Sequence, residues 1–492
     1  MEVSLDSRNI EDYRRFLAIK RLPVYRIRGS SVWFPDEYAN RLGIALATAE
    51  SQEYTPCSWL FDYQRDITRL ALRKRRFAVF ADCGLGKTAI LLEYARHVRT
   101  EIPHKRILIV SPLMVVKQTL EECQRWYGQS LPIEKVEARD LSEWMHGASG
   151  IGITNYDGLN EDTPQGNLGA LILDESSMLK SMYGKWGQTC IRLGKGLDWK
   201  LCLTGTPAPN DRIEYGNHAV FLDQFPTLNA FLARYFINRG QTSERWELKP
   251  HALEPFYRSL SHWCIFLTNP ATYGWKDNCE SIPPIQVHVE DIDLTDQQAA
   301  AVRQTTWQLF LAGAGGICKR STLGQIGKGH YRGEKIESRK LAHIQASVAS
   351  WPDESTIIWC LYNAEQEEVA VAFPDAANIS GDTPLDERLQ LIDEFKAGKR
   401  RVMVSKPKIL GFGLNLQIAT RQVFSGLQDS YESFYQAVKR SNRYGSTRPL
   451  NVHIPVTEVE RPMIETVLRK AKMVQQDSEA QERIFKGAIA CC

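Results

Sequence analysis

The sequence has no Cys-x-x-Cys pair, and its 11 cysteines are scattered over 492 residues. Neither these cysteines nor the 10 histidines form a cluster at the spacing of a zinc site. We therefore expect reduced, mostly buried thiols and no structural metal held by cysteine or histidine.

Long apolar runs are also missing. No stretch approaches the roughly 20 apolar residues that a membrane span needs, and the first residues carry acids early and lack the apolar core of a secretion signal. These features predict a cytoplasmic protein without a membrane partner. The net charge is only +3, so it says little about which partners the chain binds.

Two stretches alternate short apolar runs with helical patterns, which is typical of parallel sheets covered on both faces. The first covers 56–210 and the second 346–475, while 211–345 between them is aromatic-rich and mainly helical. We therefore predict an α/β protein with two parallel-sheet lobes separated by a helical insertion and linker. A small β-containing segment at 1–55 precedes them, and a tail at 476–492 follows.

A glycine loop, Ala81–Thr88, lies between a strand-like run and a helical pattern, which is the setting that a phosphate-binding loop needs. Its glycines let backbone N–H groups converge on phosphate oxygens at the helix N-terminus. Lys87 would reach the terminal phosphates, and the Thr88 hydroxyl would bind Mg²⁺. Ala81 replaces the first glycine of the usual pattern, and the alternative is a chance Gly-Lys-Thr at a helix start.

Two adjacent carboxylates, Asp174 and Glu175, end the apolar run 170–173. Paired acids are costly beside a buried strand unless they hold a cation. Asp174 fits a Mg²⁺ ligand, and Glu175 fits the residue that polarises an attacking water. A solvated Asp-Glu at a helix start is the alternative, and the position about 90 residues after a phosphate loop disfavours it.

In this order the motifs resemble those of superfamily-two helicases, and within them the Swi/Snf-type DNA translocases, particularly short prokaryotic and phage-encoded members. The resemblance runs collinearly over about 55–475. It implies two RecA-like lobes with ATP and Mg²⁺ bound between them, and it makes Gln64 the residue that reads adenine. The other residues implied to bind ATP in the first lobe are Asp82, Cys83, Gly84, Leu85, Gly86, Lys87 and Thr88.

Three further first-lobe stretches, 109–112, 153–157 and 203–207, resemble family motifs along the nucleic-acid track. The implied nucleic-acid contacts there are Ser111, Asn155 and Thr206. Ser177 stands where many members have histidine after the Asp-Glu pair. Its presence leaves open how this motif communicates with 204–207.

The second lobe carries 411–416, which resembles "GGxGLNL", and 436–445, which resembles "QAxxRxxRxGQ". The first motif implies that Gly413 contacts the nucleotide and Asn415 the nucleic acid. Arg440 and Arg443 would share one face of a helix. Alone, that spacing favours a surface basic helix, but in this motif it implies a pair of arginine fingers that act with Lys87 and Glu175 in catalysis.

The resemblance implies a DNA-dependent ATPase that moves along double-stranded DNA without separating the strands. Binding would be independent of sequence and sensitive to salt, because phosphate contacts release counterions. Three alternatives stay open: a strand-separating helicase, a non-motor ATP-switched subunit of a replication, repair or defence complex, and RNA as the track. Residues 21–35 resemble a small nucleic-acid-binding module, with a simple packing role equally compatible.

Overall fold

The computed structural model describes residues 2–22, 25–34, 39, 42–44, 53–181, 184–240, 246–276, 282–311, 316–410, 414–427, 430–443 and 446–489. Gly413, predicted to contact the nucleotide, lies outside these residues, as do 411–412 and 444–445 of the two second-lobe motifs. Among the described helices, none combines the length and the apolar character that crossing a bilayer requires.

The N-terminal segment is a three-stranded antiparallel sheet, in the order β1-β3-β2, packed on one helix. Its elements are β1 (Glu2–Ser4), α1 (Ile10–Lys20), β2 (Arg26–Arg28) and β3 (Ser31–Trp33). Ile19, Val32 and Phe34 form its own small core. The segment contacts the first lobe, where the Arg26 guanidinium donates to the carbonyl oxygen of Gln224 at 3.0 Å.

The first lobe is built on a seven-stranded sheet in the order β12-β4-β9-β8-β5-β7-β6. Its elements up to the end of the predicted lobe are α2 (Asp62–Lys74), β4 (Arg76–Ala81), α3 (Lys87–Glu101), β5 (Arg106–Ser111), α4 (Leu113–Tyr127), β6 (Ile133–Lys135), α5 (Leu141–Met145), β7 (Gly150–Asn155), β8 (Leu168–Asp174), α6 (Lys185–Gly194) and β9 (Trp199–Thr204). All described strand pairs in this sheet are parallel. Strands β4, β9 and β8 are neighbours, so the loops that follow them meet at one edge.

The chain beyond β9 stays with the first lobe. Its elements are α7 (Tyr215–Phe221), α8 (Leu228–Tyr235), β10 (Phe236–Asn238), β11 (Trp246–Leu248), α9 (Leu253–Trp263) and β12 (Cys264–Leu267). Strand β12 pairs in parallel with β4 and forms an edge of the first sheet. Its four side chains are buried, so the apolar run closes the core instead of standing in a separate insertion.

The second lobe contains a six-stranded sheet in the order β13-β20-β19-β16-β18-β17, parallel in its described pairs. Its elements are β13 (Ile285–Asp291), α10 (Asp296–Leu311), α11 (Gly316–Gly327), β14 (His330–Tyr331), β15 (Glu334–Lys335), α12 (Lys340–Ala349), β16 (Thr356–Trp359), α13 (Asn363–Ala372), β17 (Ala377–Ile379), α14 (Leu385–Lys396), β18 (Val402–Ser405), β19 (Arg421–Phe424), α15 (Tyr431–Lys439), β20 (Leu450–Val456) and α16 (Arg461–Ile489). The stretch predicted as an insertion thus gives β12 to the first sheet and β13 to the second.

Helix α16 joins the two lobes. Near its start, Ile464 and Val467 pack in the second-lobe core. Near its end, Phe485 packs in the first-lobe core. The backbone N–H of Thr268 donates to the Glu482 carboxylate at 2.7 Å. The stretch predicted as a tail at 476–492 therefore continues this helix as far as Ile489, and two buried contacts anchor its polar sequence to the first lobe.

Candidate active site between the two lobes

The glycine loop connects β4 to α3 and wraps closely around the side chain of Gln64. Gly84 and Gly86 have φ values of +89° and +67°, a region that disfavours other residues. A Cβ on Gly86 would lie 2.2 Å from Nε2 of Gln64. The left-handed backbone at 86 therefore favours glycine, and a side chain at this position would displace the Gln64 amide.

Lys87 lies at the N-terminus of α3, where helix partial charge favours an anion. Its Nζ donates to the carbonyl oxygens of Ala81 at 3.0 Å and Asp82 at 3.4 Å. The ammonium is thus held over the loop, within reach of phosphates bound there. The hydroxyl of Thr88 lies one residue further, on the same first turn.

Gln64 lies in the first turn of α2 and is buried. Its Oε1 accepts from the backbone N–H of Phe61 at 3.0 Å, and its Nε2 donates to the carbonyl oxygen of Leu85 at 3.4 Å. Tyr63 also donates to Leu85, through its hydroxyl, at 3.1 Å. These bonds fix the amide beside the phosphate loop.

Asp174 and Glu175 end β8, and both are buried. The Ser111 hydroxyl donates to Oδ2 of Asp174 at 2.9 Å, and the Tyr156 hydroxyl donates to the Asp174 carbonyl oxygen at 2.8 Å. Burial, followed by the neighbouring charge of Glu175, raises the pKa of Asp174 to about 7. A cation at this position would relieve both effects.

Glu175 has a φ of +48°, which is uncommon for a residue with a side chain. This conformation directs its Oε2 to the hydroxyl of Thr204, which donates at 3.1 Å. The same hydroxyl accepts from the backbone N–H of Thr206 at 3.1 Å. Hydrogen bonds through the Thr204 hydroxyl therefore join Glu175 to the 204–207 motif.

A histidine nevertheless reaches this loop from another element. Nε2 of His218, on α7, lies 3.0 Å from the Ser176 hydroxyl. Burial lowers the pKa of His218 to about 4, so the imidazole is neutral near pH 7. Sequence reasoning missed this contact because the two residues are far apart in the chain.

The donor set suits Mg²⁺, which prefers carboxylate and hydroxyl oxygens and keeps several waters. Asp174 supplies a buried carboxylate whose pKa is raised, and Thr88 supplies a hydroxyl at the start of α3. Among the described residues, no group of three or more His, Cys, Asp and Glu side chains forms a metal cage.

Arg440 follows the last residue of α15 and is 2% exposed. Its Nη1 donates to the carbonyl oxygen of Leu410 at 3.0 Å, while its buried Nε has no hydrogen-bond partner in the described structure. Burial, with the nearby charge of Arg443, lowers the pKa of Arg440 to about 9. The charge of Glu175, from the other lobe, raises it and so lies within electrostatic range.

Arg443 lies in the turn beyond α15, and its Nε donates to the carbonyl oxygen of Lys439 at 2.8 Å. Helix α15 ends at Lys439, so the two arginines do not share a helix face as predicted. The turn still holds them close enough for each charge to act on the other. The charge of Arg443 also acts on Cys83 in the phosphate loop.

The lobes meet through α15. The Lys439 ammonium contacts Oδ2 of Asp82 at 3.0 Å, and the Tyr435 hydroxyl donates to Oδ1 of the same carboxylate. Glu432 accepts from Lys180 and, at 3.4 Å, from the Thr206 hydroxyl. The sequence predicted that Asp82 binds ATP and that Thr206 contacts nucleic acid. It did not predict that both residues contact the opposite lobe.

The four residues predicted to contact nucleic acid differ in their surroundings. Ser111 is fully buried on Asp174, and Thr206 is covered by the second lobe, so neither hydroxyl faces a surface track. The Asn155 side chain accepts from the backbone N–H of Gly158 at 3.0 Å and is half-buried. Asn415 is exposed.

Two family descriptions match the chain. The SNF2-related domain matches residues 59–323, more than half of the chain, and the helicase conserved C-terminal domain matches residues 339–445. The two matches cover the first sheet with its phosphate loop and the second sheet up to the arginine turn. They confirm the predicted resemblance and the two-lobed α/β fold.

Relatives cover most of this chain at low identity. Protein p41 of Acyrthosiphon pisum secondary endosymbiont phage 1 is 24% identical over 84% of the chain and 96% of its own length. The DNA annealing helicase and endonuclease ZRANB3 of Bos taurus is 23% identical over 80% of the chain. The ATP-dependent helicase/translocase YwqA of Bacillus subtilis is 23% identical over 76%. The chain spans only 38% of that ZRANB3 and 43% of YwqA.

Among solved structures, the Sulfolobus solfataricus SWI2/SNF2 ATPase core in complex with dsDNA aligns with 88% of this chain and 97% of its own, at 19% identity and a TM-score of 0.41. The family assignment rests on the two domain matches. On those matches, the chain belongs to the SNF2-related family of helicase-like enzymes that hydrolyse ATP.

Proposed function

We propose that this chain is a DNA-dependent ATPase that translocates along double-stranded DNA without separating its strands. The observation that carries the proposal is the pairing of opposite charges across the cleft. The buried acids Asp174 and Glu175 lie on one lobe, and the buried Arg440 lies on the other within electrostatic range of Glu175. Such an arrangement suits a nucleotide bound between the lobes.

In the proposed cycle, Gln64 reads adenine while Lys87 and the loop N–H groups hold the phosphates. Mg²⁺, held by Thr88 and Asp174, would neutralise charge on the β- and γ-phosphate oxygens. Glu175 orients the attacking water, and Thr204 fixes its carboxylate at 3.1 Å. Arg440 and Arg443 stabilise charge on the transferring phosphoryl group.

Two observations support DNA as the track. ZRANB3, which aligns with most of this chain, is named a DNA annealing helicase. Lys406 and Lys408 follow β18, and Lys406 contacts Asn363 at the start of α13. These two cations lie in the loop that leaves the C-terminal end of β18. A polyanion lying across the strand ends would meet them without any large net charge on the protein.

ATPase stimulation compared across double-stranded DNA, single-stranded DNA and RNA tests the proposal. We expect the duplex to stimulate most, and we expect stimulation to fall steeply as salt rises. Lys87→Ala is the control, because removal of its ammonium should abolish nucleotide binding and turnover. Full activity in that variant would refute the phosphate-loop assignment, and stronger stimulation by RNA would refute the DNA track.

Movement is tested by two displacement assays run side by side. A translocase on duplex DNA removes a third strand from a triplex but leaves a forked duplex intact. Separation of the fork would make the protein a strand-separating helicase. DNA-stimulated hydrolysis without displacement in either assay would make it an ATP-switched subunit of a replication, repair or defence complex.

A further inference from the structure

One face of α15 contacts three loops of the first lobe. Its contacting residues are spaced i, i+3, i+4 and i+7, which places them on one helix face. They are Glu432, Tyr435, Gln436 and Lys439. Their partners follow β8, β9 and β4 in the first sheet, and these are Lys180, Thr206 and Asp82.

The contact to Asp82 differs from the others because it reaches the phosphate loop itself. Oδ1 of Asp82 accepts from the backbone N–H of Cys83 at 2.6 Å and from the Tyr435 hydroxyl. Oδ2 accepts from the Lys439 ammonium at 3.0 Å. Burial alone would raise the pKa of the Asp82 carboxyl, but Lys439 and these hydrogen bonds outweigh it and hold the pKa below its ordinary value.

The same residue links both halves of the phosphate site, through its backbone on the first lobe and through its carboxylate on the second. On the first lobe, the carbonyl oxygen of Asp82 accepts from the Lys87 ammonium at 3.4 Å. On the second lobe, the carbonyl oxygen of Lys439 accepts from Nε of Arg443 at 2.8 Å, and Arg440 is the next residue in the chain. Separation of Asp82 from Lys439 would therefore remove one contact that ties the segment carrying both arginines to the phosphate loop.

We propose that Lys439, assisted by Tyr435, is a positioning residue that binds Asp82 and so sets Arg440 and Arg443 over the phosphate loop when the lobes close. The proposal rests on the nucleotide cleft proposed above. In this role Lys439 acts on Asp82 and not on the nucleotide. It acts through the two arginines, so it should govern turnover rather than ATP affinity.

Steady-state ATP hydrolysis by the full chain tests this role. Lys439→Gln should lower kcat by about 10–100-fold, because small misplacements of catalytic groups cost rate steeply. KM for ATP should change by less than about threefold, since transition-state contacts are lost and ground-state contacts remain. Lys439→Arg, which keeps a cation donor for Asp82, should recover most of the lost kcat.

A matched control and a double variant complete the test. Lys472 on α16 lines the same 560 Å³ interlobe cavity as Asp82 and Lys439, so Lys472→Gln removes a cation from that cavity without touching the pair. It should leave kcat within about twofold. Asp82→Asn combined with Lys439→Gln should lose no more than the worse single variant, because both remove one interaction.

The outcomes separate this inference from the proposed cleft. Binding of a fluorescent ATP analogue should be lost in Lys87→Ala and kept in Lys439→Gln. If Lys87→Ala still binds the analogue, the cleft assignment fails. If Lys87→Ala loses binding while Lys439→Gln matches Lys472→Gln, or if the double variant is fully additive in ln kcat, only the positioning role is overturned.

Discussion

Each half of the cleft holds a pair of like charges, and the two pairs are built in different ways. In the first lobe, Asp174 and Glu175 follow a buried strand directly, and hydroxyls from neighbouring strands hold both carboxylates. In the second lobe, Arg440 and Arg443 lie in a turn after a helix, where backbone carbonyls hold them. The acidic half is held within one sheet edge, while the position of the basic half depends on how α15 docks.

Both pairs are electrostatically incomplete by themselves. Burial and Glu175 raise the pKa of Asp174, whereas burial and Arg443 lower the pKa of Arg440. In each case the charged form is disfavoured until an opposite charge arrives. The two lobes thus carry buried charges of opposite sign, and each charge is disfavoured while its own lobe stands alone.

The largest expected loss of activity follows from a change at Arg443, in the basic half of the cleft. Arg443→Ala should lower kcat by roughly 10³–10⁵-fold, because a finger arginine stabilises charge in the transition state. Steady-state hydrolysis with saturating DNA measures it. Arg448→Ala, which removes an exposed arginine five residues further on, is the control. A loss of less than tenfold would remove Arg443 from this role.

On the acidic half, Glu175→Gln should still bind ATP but hydrolyse it roughly 10²–10⁴-fold more slowly, because the water loses its oriented base. Nucleotide binding and single-turnover hydrolysis measured on one preparation separate the two effects. The control is Glu479→Gln, which neutralises an exposed acid on α16. Near-normal turnover in Glu175→Gln would assign the base elsewhere.

Helix α16 packs into both lobes, so changes at its two ends test how each lobe is stabilised. Phe485→Ala should destabilise the first lobe by roughly 3–5 kcal/mol, and Ile464→Ala should destabilise the second by roughly 2–5 kcal/mol, because each leaves a core cavity. Hydrogen exchange resolved along the chain should place each loss in its own lobe. If either variant lost amide protection equally in both lobes, the two lobes and α16 would unfold together as one unit.

The smallest expected effect concerns a buried cluster of the second lobe in which ion pairs join charges of opposite sign. Glu460 bonds Lys328 at 2.5 Å and Lys340 at 2.6 Å. Burial alone would raise the pKa of Glu460, but the two ammonium groups lower it from 4.5 to about 2. A depressed carboxyl pKa stabilises the fold above 4.5, and that stabilisation is lost as pH falls towards 2.

Chemical denaturation measured between pH 7 and pH 3 tests this cluster. Glu460→Gln should be less stable at pH 7 and should lose less stability on acidification than the wild type. Glu458→Gln, a near neighbour that is exposed, should follow the wild type. If the stability of Glu460→Gln and the wild type fell in parallel, the cluster would contribute nothing to the pH dependence.

Short motifs predicted the acidic half of the cleft well. The glycine loop and the Asp-Glu pair are short motifs, and each directly follows an apolar strand-like run. Both can therefore be recognised from neighbouring residues in the sequence. The parallel sheet then dictates that loops after neighbouring strands converge. The roles of the individual residues in binding and catalysis stay predictions that the variants above test.

Non-local contacts could not be predicted in the same way. The four-residue strand Cys264–Leu267 lies among helices, and periodicity does not distinguish so short an apolar run from a buried helical turn. The end of α15 at Lys439 and the pairing of that residue with Asp82 depend on docking between lobes. The burial of Ser111 on Asp174 likewise follows from the order of strands in the sheet and not from its own motif.

Helix α16 has a mechanical consequence. The chain passes from the first lobe to the second between β12 and β13, and it returns to the first lobe through the last turns of α16. Two lobes that are connected at two separate points can still rotate relative to each other about the line through the two connections. Opening by wide separation would require Phe485 to leave its core or the helix to melt. The two connections therefore favour small relative rotations of the lobes over their wide separation.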